Sequence, residues 1–211
     1  RSSLGHALPV PVVYAYAPSD DPEDLSIVPD NVQAGRVAAE HLWDIGRRTI
    51  GWVGGDPAYS ANRDRLEGAR AALGERGATL LGADVTTGDW AERWGRAAAA
   101  RLLERRPDVD AILAASDQLA RAALDVLRDA GRRVPDDIAV VGQDNWLAVA
   151  TNTRPELTSG DGRLEEIGRT AANRIFTALA GEDPGRGVER QAVELVLRGS
   201  SVGDRLDPAS A

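Results

Sequence analysis

Short apolar runs alternate with amphipathic helical stretches along most of this chain, and that alternation restricts the fold more than any other feature. Val12-Val13, Ile50 to Val53, Leu80 to Val85, Ala111 to Ala115 and Ile138 to Gly142 read as strands. Between them lie stretches whose apolar residues recur at helical spacing. Strand, helix and strand in succession require a crossover, so the strands lie parallel and the helices cover the sheet. The expected class is α/β.

The boundaries follow from local chemistry. Pro9 to Ala17 reads as a strand and 18–29 as an acidic, proline-bearing loop. A helix opens at Asp30, with Gln33 completing a capping box. Its stripe is Ala34, Val37, Ala38, Leu42 and Ile45, and Gly46 stops it. Helices are also expected near 62–76, with Leu66, Ala69 and Leu73 inward, and after Asp89 and Glu92, with Trp94, Ala98 and Leu102 inward. Another follows Ser116, with Ala120, Ala123, Leu124 and Leu127 inward. The clearest stripe is Leu164, Ile167, Gly168, Ala171, Ile175, Ala178 and Leu179. Gly77, Gly131 and Gly181 are the expected stops. Leu157 to Ser159 reads as a crossing segment and Gln191 to Leu197 as a last strand.

In open parallel sheets, ligands bind beyond the carboxyl ends of the strands. Five such exits carry polar or aromatic residues: Tyr14 and Tyr16; Tyr59, Ser60, Asn62 and Arg63; Asp89 and Trp90; Ser116 and Asp117; Gln143, Asp144, Asn145 and Trp146. Arg63 offers a planar fork of donors for carboxylates, phosphates or paired hydroxyls, or an ion pair with Asp64 or Glu67. Trp90 and Trp146 present indole faces on which sugars or bases stack, or which pack on their own domain. Asp144 can accept two hydroxyl donors or cap the following turn. Ser116 reads as a cap and Asp117 as a residue facing the cleft. Tyr16 can stack or donate from the opposite lobe.

Composition removes several classes. The net charge of −8 repels a phosphate backbone, so these residues are not expected to grip DNA themselves. Cysteine is absent, which removes disulfides and thiol chemistry and suits a reducing cytoplasm. No segment approaches a membrane span, and no charged-then-apolar leader opens the chain. Arg1 is not an initiator, so the chain is expected to be a fragment or a processed product. Asp20, Asp21, Glu23 and Asp24 lack ordered metal-ligand spacing and read as a solvated loop. His6 and His41 stand far apart, and His41 lies on a helix. Gly51-Trp52-Val53-Gly54-Gly55 is neither a dinucleotide fingerprint nor a phosphate loop. No nucleophile elbow is present, and no histidine stands at a strand exit as a base. The expectation is binding without catalysis, with no cofactor and no metal.

Taken in order, the motifs resemble the lactose-repressor/galactose-repressor family of bacterial transcription regulators. They run from Asp30-Asn31, through Ala34-Gly35, Ala38-Ala39 and His41-Leu42, to Ile45-Gly46-Arg47-Arg48-Thr49-Ile50-Gly51-Trp52-Val53-Gly54-Gly55. Arg63-Asp64-Arg65-Leu66-Glu67-Gly68, Gly88-Asp89-Trp90, Ala115-Ser116-Asp117-Gln118-Leu119-Ala120 and Val134 to Asn145 follow. The resemblance implies a type-I periplasmic-binding-protein-like fold of two lobes with parallel sheets, with an effector held between them. It makes Arg63 the effector clamp, Trp90 the stacking aromatic and Asp144 the hydroxyl acceptor, with Tyr59, Asn62 and Trp146 alongside. Tyr16 stands where many members carry a sugar-binding Asp, and Ser116 replaces the usual Asn. Gly160 to Arg163 departs from the usual crossing segment.

The lobes are expected at 1–48 with 160–185 and at 49–159 with 186–200, with a tail at 201–211. The first lobe is expected to be incomplete, leaving its sheet an unpaired edge. The implied role is a cytoplasmic sugar- or polyol-sensing domain of a dimeric repressor, touching operator DNA only through an absent helix-turn-helix. The alternative is a sugar-binding transport protein of the same fold. An enzyme is the third reading and lacks a base.

Overall fold

The computed structural model describes residues 1–4, 8–83 and 87–203. His6 lies outside them, as do most of the tail and the end of the expected strand Leu80 to Val85. In chain order the strands are β1 (Val13–Ala15), β2 (Leu25–Pro29), β3 (Ile50–Val53), β4 (Ala111–Ala114), β5 (Ala139–Gln143), β6 (Thr158–Asp161), β7 (Gly187–Gln191) and β8 (Glu194–Val196). The helices are α1 (Asn31–Asp44), α2 (Ser60–Gly74), α3 (Glu92–Arg105), α4 (Asp117–Asp129), α5 (Leu147–Ala150), α6 (Leu164–Leu179) and α7 (Gly199–Val202). The chain divides into two units, Arg1–Asp30 with Gly162–Val193, and Asn31–Asp161 with Glu194–Ala211.

The first unit is a parallel sheet in the order β1-β2-β7, with α6 packed on β1 and β2. Leu25, Ile27, Ile167 and Ala171 form its core, with Val13 against them. Of the long α6 stripe only Ile167 and Ala171 are buried, whereas Leu164 and Leu179 stay exposed. Strands of three to five residues cover only the middle of a 16-residue helix.

The second unit holds a five-stranded sheet in the order β3-β4-β5-β6-β8, parallel except for β8. Strands β3, β4 and β5 are buried at every position, as a parallel sheet covered on both faces requires. Helix α1 packs on α2, and α3 on α4. Each helix expected to stop at glycine does so. At Gly46, with φ +95°, the amide of Arg47 returns to Leu42 O at 3.0 Å. This left-handed turn closes the last carbonyls of α1 and strains any side chain. The same closure follows α2, α4 and α6 at Gly77, Gly131 and Gly181.

Several expectations give way. The acidic loop contains β2, buried throughout, and its carboxylates order the surrounding turns. Asp24 Oδ2 accepts from the hydroxyls of Ser3 and Ser19, and Asp21 Oδ1 accepts from Glu23 N–H. The expected strand Gln191 to Leu197 shortens to β8 in the second sheet, and β7, which ends at Gln191, completes the first. Leu80 to Val85 makes only an isolated bridge from Leu81 to Gly51 among the described residues, with a second from Thr87 to Gly54. Asp89 does not cap α3, whose N-cap is Ala91; its Oδ1 accepts from Trp90 N–H at 2.6 Å. The lobe limits also shift. Helix α1 belongs to the second unit and residues 186–193 to the first. The reason for α1 lies in two glycines that bring it backbone to backbone with α2. A Cβ at Gly35 would stand 1.8 Å from Arg65 O, and one at Gly68 would stand 1.9 Å from Val32 O.

Candidate functional site

Parallel strands β3, β4, β5 and β6 end on one side of the second sheet, and their exits carry the polar residues. At the β5 exit, Asp144 and Asn145 both have positive φ, +104° and +46°. Such backbone is uncommon and costs on the order of 1 kcal/mol or more per residue unless its surroundings hold it. Here all three following amides are held. Asp144 N–H donates to Gly160 O (2.8 Å), Asn145 N–H to Ser159 Oγ (2.9 Å) and Trp146 N–H to Asp117 Oδ2 (2.7 Å).

The turn aims Asp144 at Arg65. Arg65 is 5% exposed, yet each of its three guanidinium nitrogens has a partner. Nη2 meets Asp144 Oδ1 at 2.9 Å, Nε donates to Asn31 Oδ1 at 2.8 Å, and Nη1 donates to Ala115 O at 2.6 Å. A buried guanidinium without such partners would be strongly unfavourable. The Asp144 side chain remains 31% exposed, so a ligand can reach it. Burial pushes its carboxyl above the ordinary range, against the pull of the Arg65 charge. Asn145 links the turn onward, donating to Asp161 Oδ2 and accepting from Arg198 Nη2.

Beside the β3 exit, Trp90 lies flat on Gly55, where a Cβ would stand 2.5 Å from the indole ring. Tyr59 meets Trp90 edge to face, with ring centroids 6.1 Å apart. Tyr59 is 59% exposed and Trp90 half-buried, so the pair offers an aromatic surface. Asn62 is buried and accepts from Gly55 N–H at 2.8 Å, which fixes the loop under Trp90.

The structure separates the expected residues. Asp144 stands at the β5 exit with its side chain 31% exposed, whereas Tyr59 and Trp90 stand beside the β3 exit, with β4 between them. Asn62 and Ser116 are buried scaffold instead: Ser116 Oγ caps α4 by accepting from Leu119 N–H at 3.3 Å. Trp146 exposes its ring, and only its backbone joins the network. Tyr16 belongs to the first unit, half exposed with φ +73°. Arg63 is exposed. Its Nη1 donates to Pro57 O and Ala58 O, and its stem borders an open groove with Leu66, Glu67, Arg70 and Ala71. Residues two apart on a helix stand about 200° apart around its axis. Only one arginine of Arg63-Asp64-Arg65 can therefore face the sheet, and it is Arg65. Arg65 and Ser159 were not among the sequence candidates, and Asp117, expected to face the cleft, is 1% exposed. The signal for Arg65 was available: it lies four residues before Ala69 and shares its buried face.

Among the described residues no group of three or more His, Asp or Glu side chains could hold a metal. His41 is half-buried and bonds Ser201 Oγ at 2.8 Å, far from these exits in role; burial lowers its pKa. The second unit thus carries a partly exposed carboxylate acceptor on a fixed guanidinium at one strand exit and an aromatic pair beside another.

A parallel α/β sheet with such a site defines a ligand-binding domain of the periplasmic-binding-protein type. The model for the periplasmic binding protein-like domain matches residues 39–201. The chain belongs to that family, in its lactose-repressor/galactose-repressor branch. It is 42% identical over 175 residues to the HTH-type transcriptional regulator CelR of Thermobifida fusca, covering 82% of this chain and 51% of that protein. The solved CelR–cellobiose complex superposes with a TM-score of 0.81 at 37% identity, over 90% of this chain and 58% of that one. A sugar-binding LacI-family regulator from Escherichia coli, solved with phosphate, matches with a TM-score of 0.81 at 25% identity, over 92% of this chain and 69% of that one. The chain spans about half the length of the curated relatives it matches. Those relatives are transcription regulators.

Proposed function

We propose that this chain is the effector-sensing portion of a transcription repressor and that its effector is a sugar or related polyol. One observation carries the reading: a buried arginine is paired with a partly exposed aspartate at the β5 exit of a sheet whose β3 exit carries an open aromatic pair. Asp144 accepts sugar hydroxyls, Arg65 holds Asp144 in the ionised, accepting form, and Trp90 with Tyr59 stacks on the C–H face of the ring. Trp146 contributes a further contact. Cellobiose is the first ligand to test, since a relative of this identity was solved with it.

The reaction is binding without turnover, which the regulatory nature of the relatives supports. The regulator works in the cytoplasm as a dimer. DNA is read by a helix-turn-helix outside this chain, as the net charge of −8 favours. Effector binding shifts the population of conformations that place those DNA-reading elements.

Thermal-shift titration with cellobiose and a panel of mono- and disaccharides tests the reading. At least one sugar is expected to raise the melting temperature of the wild-type chain and not of Asp144→Ala or Trp90→Ala. A panel without any response, or equal responses in all three proteins, rejects it.

A further inference from the structure

Asp117 is 1% exposed and stands at the first turn of α4 with its carboxylate between two other elements. Oδ1 accepts from Ser159 Oγ on β6 at 2.6 Å, and Oδ2 accepts from Trp146 N–H at 2.7 Å. The Ser159 hydroxyl in turn accepts from Asn145 N–H. Two of the three amides that hold the positive-φ turn therefore depend on this one carboxylate, directly or through Ser159. The β5 backbone makes room for it, because a Cβ at Gly142 would stand 2.4 Å from Asp117 Oδ1.

We propose that Asp117 is a positioning residue for the site: its carboxylate ties the Asp144–Asn145 turn to β6 and so keeps the Asp144 carboxylate on Arg65. The proposal rests on the reading of Arg65 and Asp144 as the ligand site. It deepens that reading by making effector affinity depend on pH.

The chemistry sets the direction. Both neighbours are donors, so an ionised carboxylate satisfies both, whereas a protonated one carries a hydrogen on one oxygen and gives up an acceptor. Burial pushes Asp117 up to about 7, although the Ser159 and Trp146 bonds pull it down. Asp144 raises it further and Arg198 opposes that. Arg65 and Asp161, the partners of Asp144 and Asn145, complete the charged groups around the turn. The turn is therefore held at high pH and released as pH falls through about 7. If only the ionised form binds, affinity drops about tenfold between pH 8 and pH 6.

Two measurements on the full chain separate this proposal from the reading beneath it. The first needs no ligand: the amide signals of Asn145 and Trp146 are followed by NMR from about pH 5 to pH 9. Both are expected to titrate together near pH 7 in the wild type and to stay flat in Asp117→Asn. In Ser159→Ala the Trp146 amide still titrates and the Asn145 amide does not, which keeps the test available if Asp117→Asn misfolds. Flat amides in the wild type, or an unchanged titration in Asp117→Asn, overturn the proposal. The second is calorimetric titration with cellobiose at pH 6 and pH 8. About tenfold weaker binding at pH 6 is expected in the wild type, with no pH dependence in Asp117→Asn. Equal wild-type affinities at the two pH values overturn the coupling to the ligand. No cellobiose binding at either pH counts against the ligand reading alone, and the amide titration still decides the role of Asp117.

Discussion

Replacing Gly35 by alanine tests how the site is held, because the new Cβ has nowhere to go. It would stand 1.8 Å from Arg65 O, 2.7 Å from Arg65 C and 2.9 Å from Arg65 Cα. All three atoms are backbone, so no rotamer change relieves the clash. Reaching even 3.0 Å requires α1 and α2 to separate by about 1.2 Å. The Arg65 Nε to Asn31 Oδ1 bond crosses the same seam at 2.8 Å, and that separation would break it. Overpacking of this kind costs about 3 kcal/mol or more once the lost hydrogen bond is included. For a chain of this size that lowers the melting temperature by roughly 6–12 °C. Gly74→Ala is the internal control. It lies on α2 with nothing within 4 Å of a new Cβ and gains up to about 1 kcal/mol from helix propensity. Thermal denaturation followed by circular dichroism measures both variants. The reasoning fails if Gly35→Ala melts within a degree or two of the wild type, or if Gly74→Ala is the more damaging change.

Three further outcomes are expected. Arg65→Met strands the partly buried Asp144 and costs about 2–3 kcal/mol, discounted because Asp144 still reaches water, whereas Arg63→Met stays within about 0.5 kcal/mol; urea unfolding compares them, and equal losses refute the assignment of the inward arginine. Ser116→Ala removes the α4 cap at a cost of about 1 kcal/mol without abolishing any sugar response, as paired unfolding and thermal-shift titrations check. The raised carboxyl of Asp117 binds its proton more tightly folded than unfolded. Its stabilising contribution is thus complete below the unfolded value near 4 and is lost as pH rises to about 7. Asp117→Asn should therefore gain stability relative to the wild type across that window, by up to about 4 kcal/mol, and a pH-independent difference between the two refutes the assignment.

The last comparison bears on why the carboxylate is there. A buried charge that weakens the fold at neutral pH is easier to understand as a device for placing the Asp144 turn than as a stabilising contact.

Much of the fold was legible because helix signals are local. The stripes of α1 and α4 and the glycine that ends each of four helices depend only on spacing and on a left-handed turn. Strand β2 was hidden because its five residues are flanked by acids and prolines, and their role in the adjoining turns is a tertiary matter. Strand β7, and its place in a different sheet from β8, was hidden for a related reason, since a strand does not encode its partner. The strand-exit rule named Asp144, Trp90 and Tyr59, which the structure leaves partly or largely exposed. It also named Arg63, and helix phase sets Arg63 and Arg65 on opposite sides of α2, Arg65 inward and Arg63 exposed.

From the residues alone follow a parallel α/β sheet, helices closed by glycine and family membership. These rest on periodicity, backbone sterics and side-chain chemistry, all of which act over a few residues. Tertiary structure decided that α1 lies on α2 at two glycines, that Arg65 rather than Arg63 meets Asp144, and that Asp117 holds the turn between them. Each of these joins groups far apart in the chain. Their energies depend on burial and on distances of a few ångströms, which only the packed structure sets.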